Sequence, residues 1–169
     1  NVATYANQKC TEMGATVVAM SDSNGYVVDE NGIDFRIIQQ IKEQKRERIS
    51  TYPNYVPTAK YVEGCAGIWS VPCDIAMPCA TQNEIDTDSA KLLVSNGCKA
   101  VFEGSNMPCT PEAIQAIKAS GLLYSPSKAS NAGGVAVSGL EMSQNSERLY
   151  WTFEAVDAKL KEIMENIYR

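Results

Sequence analysis

The chain has 169 residues, 44% hydrophobic and 21% charged, with a net charge of -5 and a pI near 4.8. That length suffices for one domain burying roughly 70% of its unfolded surface, and the acidic balance argues against nucleic-acid binding through a broad basic face. The sequence contains no histidine, which excludes Ser-His and Cys-His nucleophilic machinery, imidazole proton shuttles and histidine metal sites within it.

Val2, Ala6, Cys10 and Met13 fall at helical spacing, so residues 1 to 13 read as a helix stopped by Gly14. The apolar run Ala15 to Met20 reads as a parallel strand covered on both faces. Two turn dipeptides, Asn24-Gly25 and Asn31-Gly32, flank Tyr26-Val27-Val28 and predict a short hairpin excursion. Asp34 caps an amphipathic helix with Phe35, Ile37, Ile38 and Ile41 inward. Residues 49 to 73, rich in Tyr and Pro, predict mostly loop with one short strand.

Regular alternation begins at Asp74. A strand to Met77 precedes a helix from about Thr87 to Asn96, started by Asp86 and stopped by Gly97. The strand Ala100 to Phe102 precedes a helix with Thr110 as N-cap, Pro111 at its first position and Gly121 as its stop. The strand Leu122 to Tyr124 runs into a loop carrying Asn131, and a last helix after Thr152 puts Phe153, Val156, Leu160, Ile163 and Ile167 on one stripe. Strand and helix alternating at this spacing predict a single α/β domain, 1–169, with a mostly parallel sheet and helices on both faces.

No apolar run reaches membrane-spanning length and nothing resembles a cleavable signal, so no membrane association and a cytoplasmic location are expected. Six cysteines (Cys10, Cys65, Cys73, Cys79, Cys98, Cys109) show no C-x-x-C pair. No zinc knuckle or thioredoxin-type motif is expected, and the thiols should be reduced and mostly buried. Cys79 has no histidine to activate it and reads as a small buried filler.

Three strand ends deliver polar loops: Pro78-Cys79-Ala80-Thr81-Gln82-Asn83-Glu84, Glu103-Gly104-Ser105-Asn106, and Ser125 to Asn131. In open α/β sheets, ligands bind beyond the carboxyl ends of the strands. A dinucleotide-binding unit runs strand, G-x-G-x-x-G/A, helix, strand, then an acidic residue about 20 positions on. Ala3 fits the last position of that fingerprint, and Asp22 closes the next strand at about that spacing. On this reading the first strand and both phosphate-loop glycines lie upstream of residue 1. The competing reading is an ordinary helix and strand followed by an Asx turn.

Asn1-Val2-Ala3, Ser21-Asp22-Ser23, Pro78 to Glu84, Gly104-Ser105-Asn106-Met107-Pro108, Asn131-Ala132-Gly133-Gly134-Val135 and Ser138 to Asn145 occur in this order. Together they resemble the coenzyme-binding domain of hexameric NAD(P)-dependent glutamate dehydrogenases, over essentially the whole chain. The resemblance implies a Rossmann-like fold lacking its first strand and glycine loop, with Asn1 and Val2 among the cofactor contacts. It places the Ala80-Thr81-Gln82 segment beside the nicotinamide, with Thr81 and Asn131 bonding the carboxamide and Asn106 near the ribose. Val135 and Ser138 would line the glutamate pocket, although Ser138 could instead cap the next helix. Gly133-Gly134 would allow close backbone approach or a positive φ.

Cofactor choice turns on Asp22, which could accept from a ribose 2′-OH and repel a 2′-phosphate. In family members with Ser21-Asp22-Ser23, cations at the positions of Lys42 and Arg48 help hold the 2′-phosphate, so NADP is expected, with NAD as the other candidate. The resemblance further implies L-glutamate and 2-oxoglutarate as substrates and a homohexamer. The residues of proton transfer belong to a separate domain with no match here, so this chain alone should be inactive. Two alternatives stand beside it: a catalytically silent ligand-sensing or assembly module, and a different NAD(P)-linked amino-acid dehydrogenase. Ser138 argues against the second, because an apolar substrate pocket has no use for that hydroxyl.

Overall fold

The computed structural model describes residues 1–169 and contains two three-stranded sheets, each with its own core. Helix α1 (Val2–Glu12) leads into β1 (Ala19–Ser21), β2 (Gly25–Val28), α2 (Phe35–Gln39) and β3 (Lys60–Glu63). These strands form an antiparallel sheet in the order β1-β2-β3, with Ala19 opposite Val28 and Tyr26 opposite Val62. Asp34 accepts from Arg36 N–H at 2.8 Å and starts α2, which continues as a π-helical turn over Gln40–Gln44. Val27, Ile38, Ile41, Ile49 and Tyr52 are almost wholly buried between these elements. Burial of such side chains stabilises the fold by about 1.5–3 kcal/mol each.

The second half alternates β4 (Ile75–Ala76), α3 (Thr87–Ser95), β5 (Ala100–Phe102), α4 (Pro111–Ala119) and β6 (Leu123–Ser125). The strands are parallel in the order β4-β5-β6, the expected Rossmann-like α/β arrangement. Asp86 accepts from Ser89 N–H at 2.8 Å and Thr110 from Ala113 N–H at 3.2 Å, so both predicted N-caps form. Gly97 and Gly121 end their helices at φ +83° and +82°, the left-handed region that glycine enters at least cost. Leu93, Ala113 and Ile117 from the two helices meet Val101 in one core.

Three local expectations are corrected. The strand predicted over 15–20 is regular only at Ala19–Ser21 and pairs antiparallel with β2. The preceding residues make only scattered bonds, such as Ile33 N–H to the Val17 carbonyl. The other edge of β1 and the outer edge of β4 are both unpaired. Between them lies a cavity of about 600 Å³, lined by Ala6, Cys10, Val18, Ile75 and Met77 among others.

The loop expected after β6 is helical: α5 (Ser127–Ser130), Asn131, then α6 (Ala132–Glu147). Gly133 and Gly134 lie in the first turn of α6 without positive φ, and Gly133 faces Leu160 and Met164 of α7 (Phe153–Tyr168). Glycine and serine made this stretch look loop-like, but packing of α6 on α7 overrides the weak local propensity. Ser138 lies inside α6, its hydroxyl donating to the Gly134 carbonyl at 3.2 Å, so it caps nothing.

All six cysteines are free thiols; Cys98 and Cys109 are buried, Cys65 is exposed and the other three are half-buried. No helix is long and apolar enough to cross a membrane.

Candidate functional site

Because β4, β5 and β6 run parallel, the segments after them emerge at one edge of the sheet. The Pro78 carbonyl accepts from Gly104 N–H at 2.9 Å and Ser105 N–H at 3.1 Å, tying the first loop to the second. A Cβ on Gly104 would lie 2.6 Å from Cys79 Sγ, so this close approach requires glycine. Glu84 accepts from Ala80 N–H at 2.9 Å, folding the Ala80-Thr81-Gln82 tip back on itself.

Beyond the tip the two segments join as a short parallel ladder. Asn83 N–H donates to the Met107 carbonyl, Ile85 N–H to Pro108, and Thr110 N–H to Ile85, at 2.9 to 3.0 Å. Asn83 and Met107 both sit at positive φ, 56° and 49°. For methionine that backbone is uncommon and strained. Thr81 and Gln82 stand exposed at the mouth.

The structure brings two of the expected residues into contact. Asn131 Nδ2 donates to Asn106 Oδ1 at 2.7 Å. As oriented, this leaves Asn131 with a free N–H and Oδ1, a donor and acceptor matching a primary carboxamide, and leaves the Asn106 amide N–H group free. Thr81 is joined to this pair only through Ser105, whose hydroxyl donates at 3.4 Å to the Thr81 carbonyl.

A second cluster closes β1. Asp22 accepts from Asn24 N–H at 3.0 Å, making the Asx turn, and also from Ile49 N–H and Lys42 Nζ at 2.9 Å each. Burial pushes its carboxyl up, but the two amides and the lysine outweigh this and hold it below the usual carboxylate range. Arg48 donates to Ser23 Oγ at 2.7 Å and is exposed. Two cations thus flank Ser21-Asp22-Ser23, and the carboxylate is already occupied by three donors. The cavity lining includes Ser21 beside this cluster and Ala80 and Glu84 of the first loop. Asn1 and Val2, at the exposed start of α1, make no side-chain hydrogen bond in capping that helix.

Val135 and Ser138 are exposed and one turn apart on α6, hence on one helix face. Cys79 is not an activated nucleophile: burial and the nearby Glu84 carboxylate push its thiol up to about 11. No group of three or more Cys, Asp or Glu side chains is placed to hold a metal ion.

Glu84 and Glu103 also belong to this end of the sheet, although no motif gives them a role. The signal was a charged residue directly after a buried strand in Glu103, and a polar residue closing the first loop in Glu84. Glu103 is 2% exposed and accepts from Ser127 N–H at 2.8 Å.

The family model for Glutamate/Leucine/Phenylalanine/Valine dehydrogenase matches residues 1–169. An NAD(P)-specific glutamate dehydrogenase of Xylanibacter ruminicola is 53% identical over 171 residues, covering 99% of this chain and 38% of that protein. An NADP-specific glutamate dehydrogenase of Helicobacter pylori is 49% identical over 175 residues, 100% of this chain and 39% of that protein. The crystal structure of Plasmodium falciparum glutamate dehydrogenase superposes with a TM-score of 0.92 at 51% identity, covering 98% of this chain and 36% of that one. The chain therefore spans less than two fifths of the length of these relatives.

Proposed function

Because the chain belongs to the Glutamate/Leucine/Phenylalanine/Valine dehydrogenase family, we propose that it is the coenzyme-binding part of an NADP-linked glutamate dehydrogenase. The whole enzyme would oxidise L-glutamate with NADP and water to 2-oxoglutarate, ammonia and NADPH, reversibly, as a homohexamer. The observation that carries this reading is the pair of polar clusters beyond the strand ends, Asn106 with Asn131 after β5 and β6, and Lys42 with Arg48 around Ser21-Asp22-Ser23 after β1. In the first, Asn131 offers the donor and acceptor that a carboxamide needs. In the second, Lys42 and Arg48 flank the Asp22 carboxylate, three of whose acceptor sites already take N–H donors. That arrangement favours NADP, and relatives specific for NADP support it.

The coenzyme, when bound, carries the hydride at nicotinamide C4. This chain's residues bind and orient. Thr81 and Asn131 would hold the carboxamide, Asn106 the nicotinamide ribose, and Lys42 and Arg48 the 2′-phosphate. Asn1 and Val2 at the start of α1, with Ser21 and the Ala80–Gln82 tip, would complete the coenzyme contacts. Val135 and Ser138 would meet the substrate, the Ser138 hydroxyl turning from Gly134 to its distal carboxylate. The cavity between the open edges of β1 and β4 is where a strand preceding residue 1 would lie, bringing a glycine loop to the start of α1. Titrating the full-length protein with NADPH and NADH, then assaying glutamate oxidation, tests the reading. Tight NADPH binding with turnover is expected; binding of neither coenzyme would sink it.

A further inference from the structure

Glu103 is a buried carboxylate to which the coenzyme reading gives no task. It follows β5, is 2% exposed, and takes part in no salt bridge of the chain. Its Oε2 accepts from Ser127 N–H at 2.8 Å, while Oε1 is buried and faces no cation. Burial and hydrogen bonding to the Glu103 carboxylate push the Cys109 thiol and the Tyr124 hydroxyl up, so these two donors face it. A buried carboxylate that no salt bridge balances calls for an explanation.

The surrounding bonds supply one. Ser127 gives its N–H to Glu103 Oε2, and its carbonyl accepts from Asn131 N–H at 2.9 Å. Asn131 Nδ2 donates to Asn106 Oδ1 at 2.7 Å, and Asn106 returns through Ser105 and Gly104 to Glu103. Glu103 also grips the neighbouring strand by its backbone, its N–H donating to the Ser125 carbonyl at 3.1 Å. Three hydrogen bonds and three peptide links therefore close a ring that contains both asparagines. Without the Glu103–Ser127 bond, the turn bearing Asn131 is tied to β5 by backbone pairing of the strands and by the Asn131–Asn106 contact alone.

We propose that Glu103 is a positioning residue that closes this ring and so sets the Asn106–Asn131 pair in register for a nicotinamide carboxamide, which rests on the coenzyme reading above. The group acts through Ser127 and touches neither coenzyme nor substrate. What the site requires of it is an acceptor at one distance from Cα.

The test uses the full-length enzyme with Glu103→Gln and Glu103→Asp. The glutamine keeps an acceptor at Ser127; the aspartate withdraws it by one methylene. Three ligands are compared: NADP, its 3-acetylpyridine analogue lacking the carboxamide NH2, and 2′,5′-ADP, which has no nicotinamide. Glu103→Asp should lower kcat/KM with NADP by about 10- to 100-fold, the scale of a misplaced reactant. The analogue should lose less, so the preference for NADP narrows, while 2′,5′-ADP affinity stays within about 2-fold and Glu103→Gln remains near wild type. Equal losses for NADP and the analogue would overturn the proposal, as would weakened 2′,5′-ADP binding or a Glu103→Gln enzyme as impaired as Glu103→Asp. Failure of the wild-type enzyme itself to bind NADP and 2′,5′-ADP would instead remove the coenzyme reading and this inference with it.

Discussion

Replacing Arg48 by Ala should separate NADPH from NADH. Arg48 is exposed and spends one hydrogen bond on Ser23 Oγ, whereas Lys42 is committed to Asp22 at 2.9 Å. A hydrogen bond to a charged group contributes about 1.5–3 kcal/mol, and exposure at Arg48 reduces this toward about 1–2 kcal/mol. That corresponds to roughly a 5- to 30-fold rise in the NADPH Kd. NADH, lacking the 2′-phosphate, should change by less than about 2-fold. Lys42→Ala should weaken NADPH to a similar extent and also lower stability. The Asp22 side chain is only 10% exposed and would lose its single counter-ion, a loss of about 1–2 kcal/mol given the two amide donors that remain. Fluorescence titration of the full-length enzyme at low and high salt reads the affinities, and urea denaturation reads the stability. Equal weakening of NADPH and NADH in Arg48→Ala, or none of either, would refute the assignment of this cluster to the 2′-phosphate.

Met107→Gly should raise the denaturation midpoint by the equivalent of about 0.5–1 kcal/mol, since relief of left-handed backbone outweighs glycine's extra unfolded entropy; a lowered midpoint would show the methionine side chain to be a net stabiliser. At pH 8 only about a thousandth of Cys79 should be thiolate, so iodoacetamide should label exposed Cys65 first, and mass spectrometry finding both labelled equally fast would contradict the burial argument. Asp86→Ala should destabilise by about 1 kcal/mol through loss of the α3 cap. Bonding to Ser89 lowers the folded-state value of Asp86 below 3.8. Its contribution is therefore fully present above the unfolded value and fades as pH falls through the folded one. Wild-type and variant stabilities measured across pH 2 to 7 should converge at the acid end, and a constant gap would assign the loss to something other than the carboxylate.

Local chemistry made much of the fold legible. Asp34, Asp86, Thr110 and Thr152 each precede an apolar-periodic run, and each accepts an N–H from its own helix. The three strand ends with polar loops were visible because buried apolar runs stop abruptly there. The family likeness, by contrast, supplied the list of site residues, of which the structure joins Asn106 with Asn131 and gathers Lys42 and Arg48 around Ser21-Asp22-Ser23. Helix α6 was hidden, since Gly133, Gly134, Ser138 and Gly139 are poor helix formers, and the packing of Gly133 on Leu160 and Met164 of α7 is a long-range contact. The pairing of β1 with β2 was hidden for a similar reason: an apolar run does not state the direction of its neighbour. Glu103 stood out only as a charge directly after a buried strand, because its partner Ser127 lies 24 residues away.

The ladder from Asn83 to Thr110 has a mechanical consequence. Two loops stitched at Met107, Pro108 and Ile85 move as one plate, and Thr110, the last rung, is also the cap of α4. A ligand that tilts the plate at the Thr81 end therefore pulls on a helix whose other face packs into the domain interior. Small motions at the mouth are transmitted to the core as a lever transmits them, and the core's stiffness in turn limits how far the mouth can open.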